Sequence, residues 1–295
     1  MKRLFLIFLL TIFPGKTFAQ TPSPQAENSL FYQELSREVG RALKKRDGLV
    51  LWIDREQGTR QVFGNSALLS QSFLPGSLLK LVTAELALKS GRTWTYHCTG
   101  QDRIGGEVRH CWTYRGHGTL DLAQALGQSC NLFFSWLGTQ IGYTPLREAL
   151  IREGFVAAAN LPATPATASV AADLAIGDLS TFTVTPQEMS DFWQRYLDRI
   201  STPHFAPIRQ GLQRAVHEGT AKQLGKVDLQ ILGKTGTGDA LSTAYPTNGW
   251  FLAAYPVEKP RWVLVVFLKE AHGFDEAASL AEKIFSLAKR LEVLK

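Results

Sequence analysis

Three short clusters in this 295-residue chain hold residues able to attack a carbonyl: Ser77-Leu78-Leu79-Lys80, Ser129-Cys130-Asn131 and Lys234-Thr235-Gly236. A serine hydroxyl is a poor nucleophile until a base takes its proton. A lysine three residues further along a helix lies on the same face, one turn away. To act as that base, Lys80 must be neutral for part of the time. Burial among Leu78, Leu79 and Leu81, with a second lysine such as Lys234 nearby, lowers its pKa in that direction. Ser77 at a helix N-terminus also puts backbone N–H groups where an oxyanion forms, and the N–H of Thr237 is the candidate second donor. Lys234, Thr235 and Thr237 suit a substrate carboxylate, while Gly236 and Gly238 leave room for substrate backbone beside the strand. Ser129 can relay a proton to a leaving amine, and the Asn131 amide can hold a substrate amide. The candidate catalytic residues are therefore Ser77, Lys80 and Ser129, and the candidate substrate-binding residues are Asn131, Lys234, Thr235, Gly236 and Thr237.

Taken singly these motifs are cheap. A Ser-x-x-Lys match is expected about once by chance in a chain of this length. Ser286-Leu287-Ala288-Lys289 is a second one, in the last helix with nothing downstream. Lys-Thr-Gly is rarer, at roughly a tenth of a chance occurrence. The weight lies in the three motifs occurring in order.

The elements that must position them are legible in outline. Apolar residues Leu30, Phe31, Leu35, Val39 and Leu43 recur at helical spacing over residues 30–45. Two antiparallel strands follow at 49–54 and 60–63. Residues 77–88 lack Gly and Pro, begin with a helix-capping serine and are apolar nearly all round, which predicts a buried helix. Residues 90–225 alternate loop signals with helical stretches such as 121–141 and 186–199. The Ala-, Pro- and Thr-rich stretch 157–172 is either an exposed loop or the edge of a site. Strands return at about 229–233, 249–254 and 262–267, before a final helix over 274–291. Strands at both ends of a helical middle predict a mixed α/β fold of α+β type: an antiparallel sheet flanked by helices, with an all-helical subdomain.

Composition sets the compartment. The chain is 45% hydrophobic and 20% charged, enough for one large globular domain or two small ones. Lys2-Arg3, the apolar run 4–13 and Thr17-Phe18-Ala19 read as a secretory signal cleaved after Ala19, the run being about half the ~20 residues a membrane span requires. Residues 20–28 are then a processed, disordered tail and 29–295 the functional domain. Loss of Lys2, Arg3 and Lys16 with the signal lowers the net charge from +6 to +3. What remains is scattered, which argues against nucleic acid. In an oxidising compartment, Cys98 and Cys111 are the leading candidates for a disulfide, leaving Cys130 as the odd one. His97, His110 and His117 sit beside these cysteines, but the spacing fits no standard zinc pattern, and no metal or cofactor is expected.

The ordered motifs resemble the penicillin-binding transpeptidases, whose signature is Ser-x-x-Lys, Ser-x-Asn and Lys-Thr-Gly. The likeness extends to His97-Cys98-Thr99-Gly100, Cys111, Gly116-His117-Gly118, and Ala125 through Phe134. It also takes in Ala175-Ile176-Gly177, Thr183-Val184-Thr185-Pro186, Glu218-Gly219-Thr220-Ala221 and Gly249-Trp250-Phe251, spanning about residues 47–290. The resemblance implies the family's mixed fold with the site in the cleft between sheet and helical subdomain. It implies an acyl-enzyme on Ser77, peptidoglycan stem peptides and β-lactams as ligands, and D,D-transpeptidase or D,D-carboxypeptidase activity in the periplasm or outside the cell. High-molecular-weight members usually carry a membrane anchor and an N-terminal pedestal or glycosyltransferase domain. This sequence is expected to act as a stand-alone domain, with any docking to cell-wall machinery supplied by a partner protein.

Two other readings stand beside this one. A serine β-lactamase shares fold, size and export, but no convincing Glu-x-x-x-Asn stretch lies between the second and third motifs. A class D route through a carbamylated Lys80 is disfavoured by the Asn in Ser129-Cys130-Asn131. A non-catalytic β-lactam or muropeptide sensor is the third reading, although all six key motif positions are intact. Arg60, Trp112, Trp250 and Phe251 are cleft-lining candidates whose structural roles are the plainer expectation.

Overall fold

A computed structural model describes residues 24–164, 166–240 and 247–294. The signal segment and residues 20–23 lie outside the described residues. Strands β1 (Gly48–Asp54), β2 (Thr59–Gly64), β7 (Leu232–Asp239), β8 (Thr247–Tyr255) and β9 (Trp262–Lys269) form one antiparallel sheet in the order β2-β1-β9-β8-β7. The chain's two ends thus supply opposite edges of the sheet, and the third motif lies on an edge strand.

Strand alternation feeds two cores. Val50 and Trp52 of β1 point to one face, where Phe31, Leu35 and Val39 of α1 (Pro24–Ala42) meet Ile284, Phe285 and Ala288 of α10 (Ala278–Arg290). Leu49, Leu51 and Ile53 point to the other, against the helical middle. There α8 (Pro186–Ile200), opened by a Thr185–Glu188 capping box with Pro186 in its first turn, docks through two hydrogen bonds. Trp193 Nε1 donates to Ala253 O (3.1 Å), and Tyr196 Oη to Leu81 O of α2 (Lys80–Lys89; 2.9 Å).

Several boundaries moved. The first helix starts at Pro24 and so covers residues 24–28, inside the expected tail. The strand expected at 229–233 is β7, so Lys234-Thr235-Gly236 sits within the strand. The final helix opens with a π turn, Gly273–Ala277. The helical middle also contains two small ribbons: β3 (Thr95–Cys98) paired with β6 (Gly118–Asp121), and β4 (Gln101–Ile104) with β5 (Glu107–His110). These strands are four residues long and largely exposed, too short and polar to show a periodicity. The stretch 157–172 takes in the end of α6 (Val156–Asn160) and the start of α7 (Ala168–Ile176). Among the described residues no helix is long and apolar enough to cross a membrane.

Candidate active site

Ser77 sits in a clamped turn. Phe73 exchanges two backbone hydrogen bonds with Val184, after which Pro75-Gly76 bends the chain into a 3-10 turn, Gly76–Leu79, continuous with α2. Gly76 has φ +51°, and a Cβ there would lie 2.0 Å from Thr237 O. Gly177, the αL cap of α7, packs on its other side, where a Cβ would lie 2.0 Å from Gly76 O. Only glycine fits such contacts. The turn is thus held between the C-terminus of α7 and β7, beside the backbone of Thr237, as two-donor oxyanion stabilisation requires. One expectation fails: Ser77 does not cap a helix. Its residue is half-buried, and its hydroxyl makes no hydrogen bond among the described residues.

The second motif occupies a break. The predicted helix 121–141 is two, α3 (Leu122–Gly127) and α4 (Asn131–Ile141). Between them Ser129 is buried and takes φ +51°, a conformation that costs a non-glycine residue about 1–3 kcal/mol. The strain aims its hydroxyl between two amines: Lys234 Nζ donates to Ser129 Oγ at 2.9 Å, and Lys80 Nζ lies 3.3 Å from the same oxygen. Lys80 Nζ also donates to Asn131 Oδ1 (2.5 Å) and Ser129 O (2.8 Å), while Lys234 Nζ donates to Thr235 O (2.8 Å). A neutral lysine has two N–H groups and one lone pair. Two carbonyl acceptors use the donors and leave the lone pair for a hydroxyl proton.

Electrostatics move both amines toward that neutral state. Both lysines are fully buried. Burial pushes Lys80 down to about 8, partly opposed by neighbouring acidic groups. Burial, reinforced by the charge of Lys80, pushes Lys234 well below the ordinary lysine value.

The structure thus brings Lys80, Ser129, Asn131 and Lys234 together, with Ser77, Thr235, Gly236 and Thr237 alongside. Gly236 and Gly238 also make room inside the fold. A Cβ on Gly236 would lie 2.7 Å from Leu78 Cγ, and one on Gly238 2.2 Å from Leu74 O, so their missing side chains admit the serine turn itself. The Thr235 hydroxyl pairs with that of Thr220 (2.7 Å), and Thr237 Oγ1 accepts from Gly273 N–H (3.0 Å).

Among the other cleft candidates, Trp250 is buried with its Nε1 on Leu74 O (3.0 Å), Phe251 is buried in the core under α10, and Arg60 lies on β2 at the opposite sheet edge. Trp112 is 58% exposed and donates to Gln128 O (2.9 Å), one residue before Ser129. Sequence reasoning passed over Thr220 as a site residue, although it lies in a segment that resembles the family. Asp178, next to Gly177, is exposed at its surface, and partial desolvation pushes its carboxyl up to about 6 against the pull of Lys80.

The expected Cys98–Cys111 disulfide is not formed. Cys98, Cys111 and Cys130 are all free and buried, and with His117 their donor atoms lie within 4.8 Å of one another. The ribbons and the second motif bring the third cysteine in with the other two, so the sulfurs converge on a common centre rather than pairing. A cavity of about 840 Å³ lies elsewhere, lined by Arg55, Arg60, Asp198 and Lys259, and contains no motif residue. Chemistry is assigned by the motif geometry, not by that cavity.

A mixed α/β fold in which a serine turn, two lysines and an edge strand converge defines the active-serine acyltransferase superfamily. The profile of the penicillin binding protein transpeptidase domain matches residues 42–286, and the chain belongs to that family. No curated protein matches it in sequence. Solved structures share the fold at low identity. Penicillin-binding protein 2 of Pseudomonas aeruginosa has TM-score 0.73 and 17% identity, over 86% of this chain and 74% of that one. Penicillin-binding protein 2 of Helicobacter pylori, solved with MreC, has TM-score 0.74 and 17% identity, over 89% of this chain and 63% of that one. Penicillin-binding protein A of M. tuberculosis, solved as a ceftriaxone acyl-enzyme, has TM-score 0.69 and 16% identity, over 86% of this chain and 78% of that one.

Proposed function

We propose that the chain is an exported penicillin-binding enzyme that transfers acyl groups of peptidoglycan stem peptides through an ester on Ser77, as a D,D-transpeptidase or D,D-carboxypeptidase. The observation that carries the reading is the continuous path Lys80 Nζ, Ser129 Oγ, Lys234 Nζ at 3.3 and 2.9 Å, beside an unengaged serine hydroxyl. Lys80 takes the Ser77 proton as Oγ attacks the penultimate D-alanine carbonyl. The N–H groups of Ser77 and Thr237 hold the oxyanion, and Ser129 passes a proton to the departing D-alanine amine. A stem-peptide amine or water then resolves the ester. Asn131, Lys234, Thr235 and Thr237 hold the substrate's amide and carboxylate.

The packing around Lys80 disfavours the class D β-lactamase alternative. A carbamate on Nζ needs room, and Asn131 Oδ1, Ser129 O and Ser129 Oγ already crowd that nitrogen within 3.3 Å. The site acts outside the cytoplasm on this reading, after removal of residues 1–19. Residues 29–295 form the transpeptidase domain, and a cell-wall synthesis protein is the expected partner class.

Labelling with a fluorescent penicillin tests the proposal. The wild-type chain should form an adduct that survives a chase, and Ser77→Ala should form none. Rapid loss of label would mean a β-lactamase, a stable label without turnover of a D-alanyl-D-alanine peptide would mean a non-catalytic sensor, and no label on wild type would mean a degenerate scaffold. Release of D-alanine from a D-alanyl-D-alanine peptide, with and without an acceptor amine, separates trimming from cross-linking.

A further inference from the structure

The four residues around the unformed disulfide are placed with metal-site dimensions. Cys98 ends β3, Cys111 follows β5, His117 precedes β6 and Cys130 is the N-cap of α4, so four separate backbone segments each deliver one donor. The supporting loop is tightly built. Cys111 N–H bonds Gly100 O (2.8 Å) and His117 N–H bonds Cys98 O (3.1 Å). A Cβ on Gly100 would strike Tyr114 O at 2.1 Å, and one on Gly116 would strike Cys98 O at 2.2 Å, both at positive φ. Such a loop fixes where its donors point.

The spacings decide what they point at. His117 Nδ1 lies 3.6 Å from Cys98 Sγ and 3.5 Å from Cys111 Sγ, and Cys111 Sγ lies 3.8 Å from Cys130 Sγ. A disulfide would bring two sulfurs to about 2.05 Å. A tetrahedral zinc ion, with Zn–S about 2.3 Å and Zn–N about 2.0–2.1 Å, sets sulfur–sulfur edges of about 3.8 Å and nitrogen–sulfur edges of about 3.5 Å. All three observed spacings fall on those edges. His117 Nε2 is buried with no hydrogen-bond partner among the described residues and can carry the ring proton, which leaves the Nδ1 lone pair facing the sulfurs. Three thiolates and an imidazole are a soft donor set that selects zinc over magnesium or calcium. Four protein donors leave no open position, as in a structural site.

We propose that Cys98, Cys111, His117 and Cys130 bind one zinc ion, and that this ion holds the Ser129 turn in its working conformation. Binding releases the three thiol protons and changes no oxidation state. Cys130 lies between Ser129, whose strained backbone aims its hydroxyl at both lysines, and Asn131, which accepts from Lys80. Trp112, next to Cys111, grips the same turn through Gln128 O. The ion is therefore a positioning element for the acyl-transfer site, and this second half of the proposal rests on the reading of Ser77 given above.

The test uses the full exported protein, purified under reducing conditions. Metal content is read by mass spectrometry, and the rate of fluorescent-penicillin labelling is read before chelation, after it, and after zinc is restored. We expect about one zinc per chain. Stripping should slow labelling about 10-fold or more, with recovery on zinc but not magnesium. Cobalt substitution should give thiolate-to-metal charge-transfer bands, lost in Cys98→Ser and weakened in His117→Ala, two changes outside the catalytic turn. A wild-type chain that takes up no metal from equimolar zinc, with its thiols open to a thiol reagent, overturns the site. Full occupancy with an unchanged labelling rate on stripping overturns the positioning role. Zinc binding in a chain that never labels overturns the Ser77 reading and the positioning role together, and the metal site stands on its own readout.

Discussion

Two buried charged sites lie near opposite edges of the same sheet, and they are built on opposite principles. Near β1 and β9, Asp54 is fully buried but complete: Arg261 donates Nε to one carboxylate oxygen (3.1 Å) and Nη2 to the other (2.8 Å), and the amides of Glu56 and Gln57 add two more hydrogen bonds. Burial pushes the Asp54 carboxyl up, but the Arg261 hydrogen bonds, those two amides and the Arg261 charge outweigh it and hold the group below the usual carboxylate range. At the β7 edge, two fully buried lysines share one serine oxygen and have neutral acceptors but, among the described residues, no carboxylate hydrogen-bonded to either. The first arrangement lowers the energy of the fold. The second raises it, since each amine is desolvated and one repels the other. A fold keeps such a site when the unfavourable charge is what the reaction uses.

The sharpest way to break this comparison is Lys80→Met. If Lys80 is the base, penicillin labelling and D-alanine release fall about 10²–10⁴-fold. The thermal midpoint should hold or rise, because an apolar chain replaces a desolvated amine. Lost stability together with retained labelling would make Lys80 a structural residue. The pH profile of the wild type sharpens the same point. With Lys80 at about 8, the ammonium form dominates below that value, so the labelling rate constant should climb about ten-fold per pH unit up to about 8 and level off above it. A rate flat from pH 6 to 9 would assign the proton to another group.

How much of this was legible in the sequence follows from which signals are local. The serine–lysine pairing was, because it needs only one helical turn, and β1, β8 and β9 were, because they are unbroken apolar runs. The break at Ser129 was not. Residues 121–141 carry a continuous helical pattern, and the positive φ there is set by Lys80 and Lys234 reaching in from other elements. The roles of Gly236 and Gly238 also waited on the fold, since a glycine states that something comes close without naming it. The convergence of the three cysteines was hidden for the same reason. Cys98 and Cys111 look like a pair along the chain with Cys130 left over, and only the fold brings Cys130 in beside them.

Gly76→Ala probes the clamp that holds the serine turn at the lysine site. At φ +51°, with a Cβ 2.0 Å from Thr237 O, alanine should cost about 2–6 kcal/mol, the sum of backbone strain and overpacking. Because the displaced residue is next to Ser77, labelling should fall even at temperatures where the chain stays folded. An alanine variant that labels at the wild-type rate would show that Ser77 does not depend on contact with Thr237.

The smallest effect on activity belongs to the satisfied site. Arg261→Met leaves Asp54 buried with only its two amide donors, and should cost about 2–3 kcal/mol of stability, seen as a lower denaturant midpoint, with the labelling rate unchanged. The pH dependence has a fixed sign. Because Asp54 is held low in the folded chain, its contribution is complete above the unfolded carboxylate value of about 3.9 and is lost as pH falls through the folded value. The gap between wild type and Arg261→Met should therefore be widest at neutral pH and close in acid. A gap that stayed constant down to pH 2 would mean that Arg261 stabilises through its packing on Trp262, where the guanidinium lies 4.6 Å from the ring, rather than through the carboxylate.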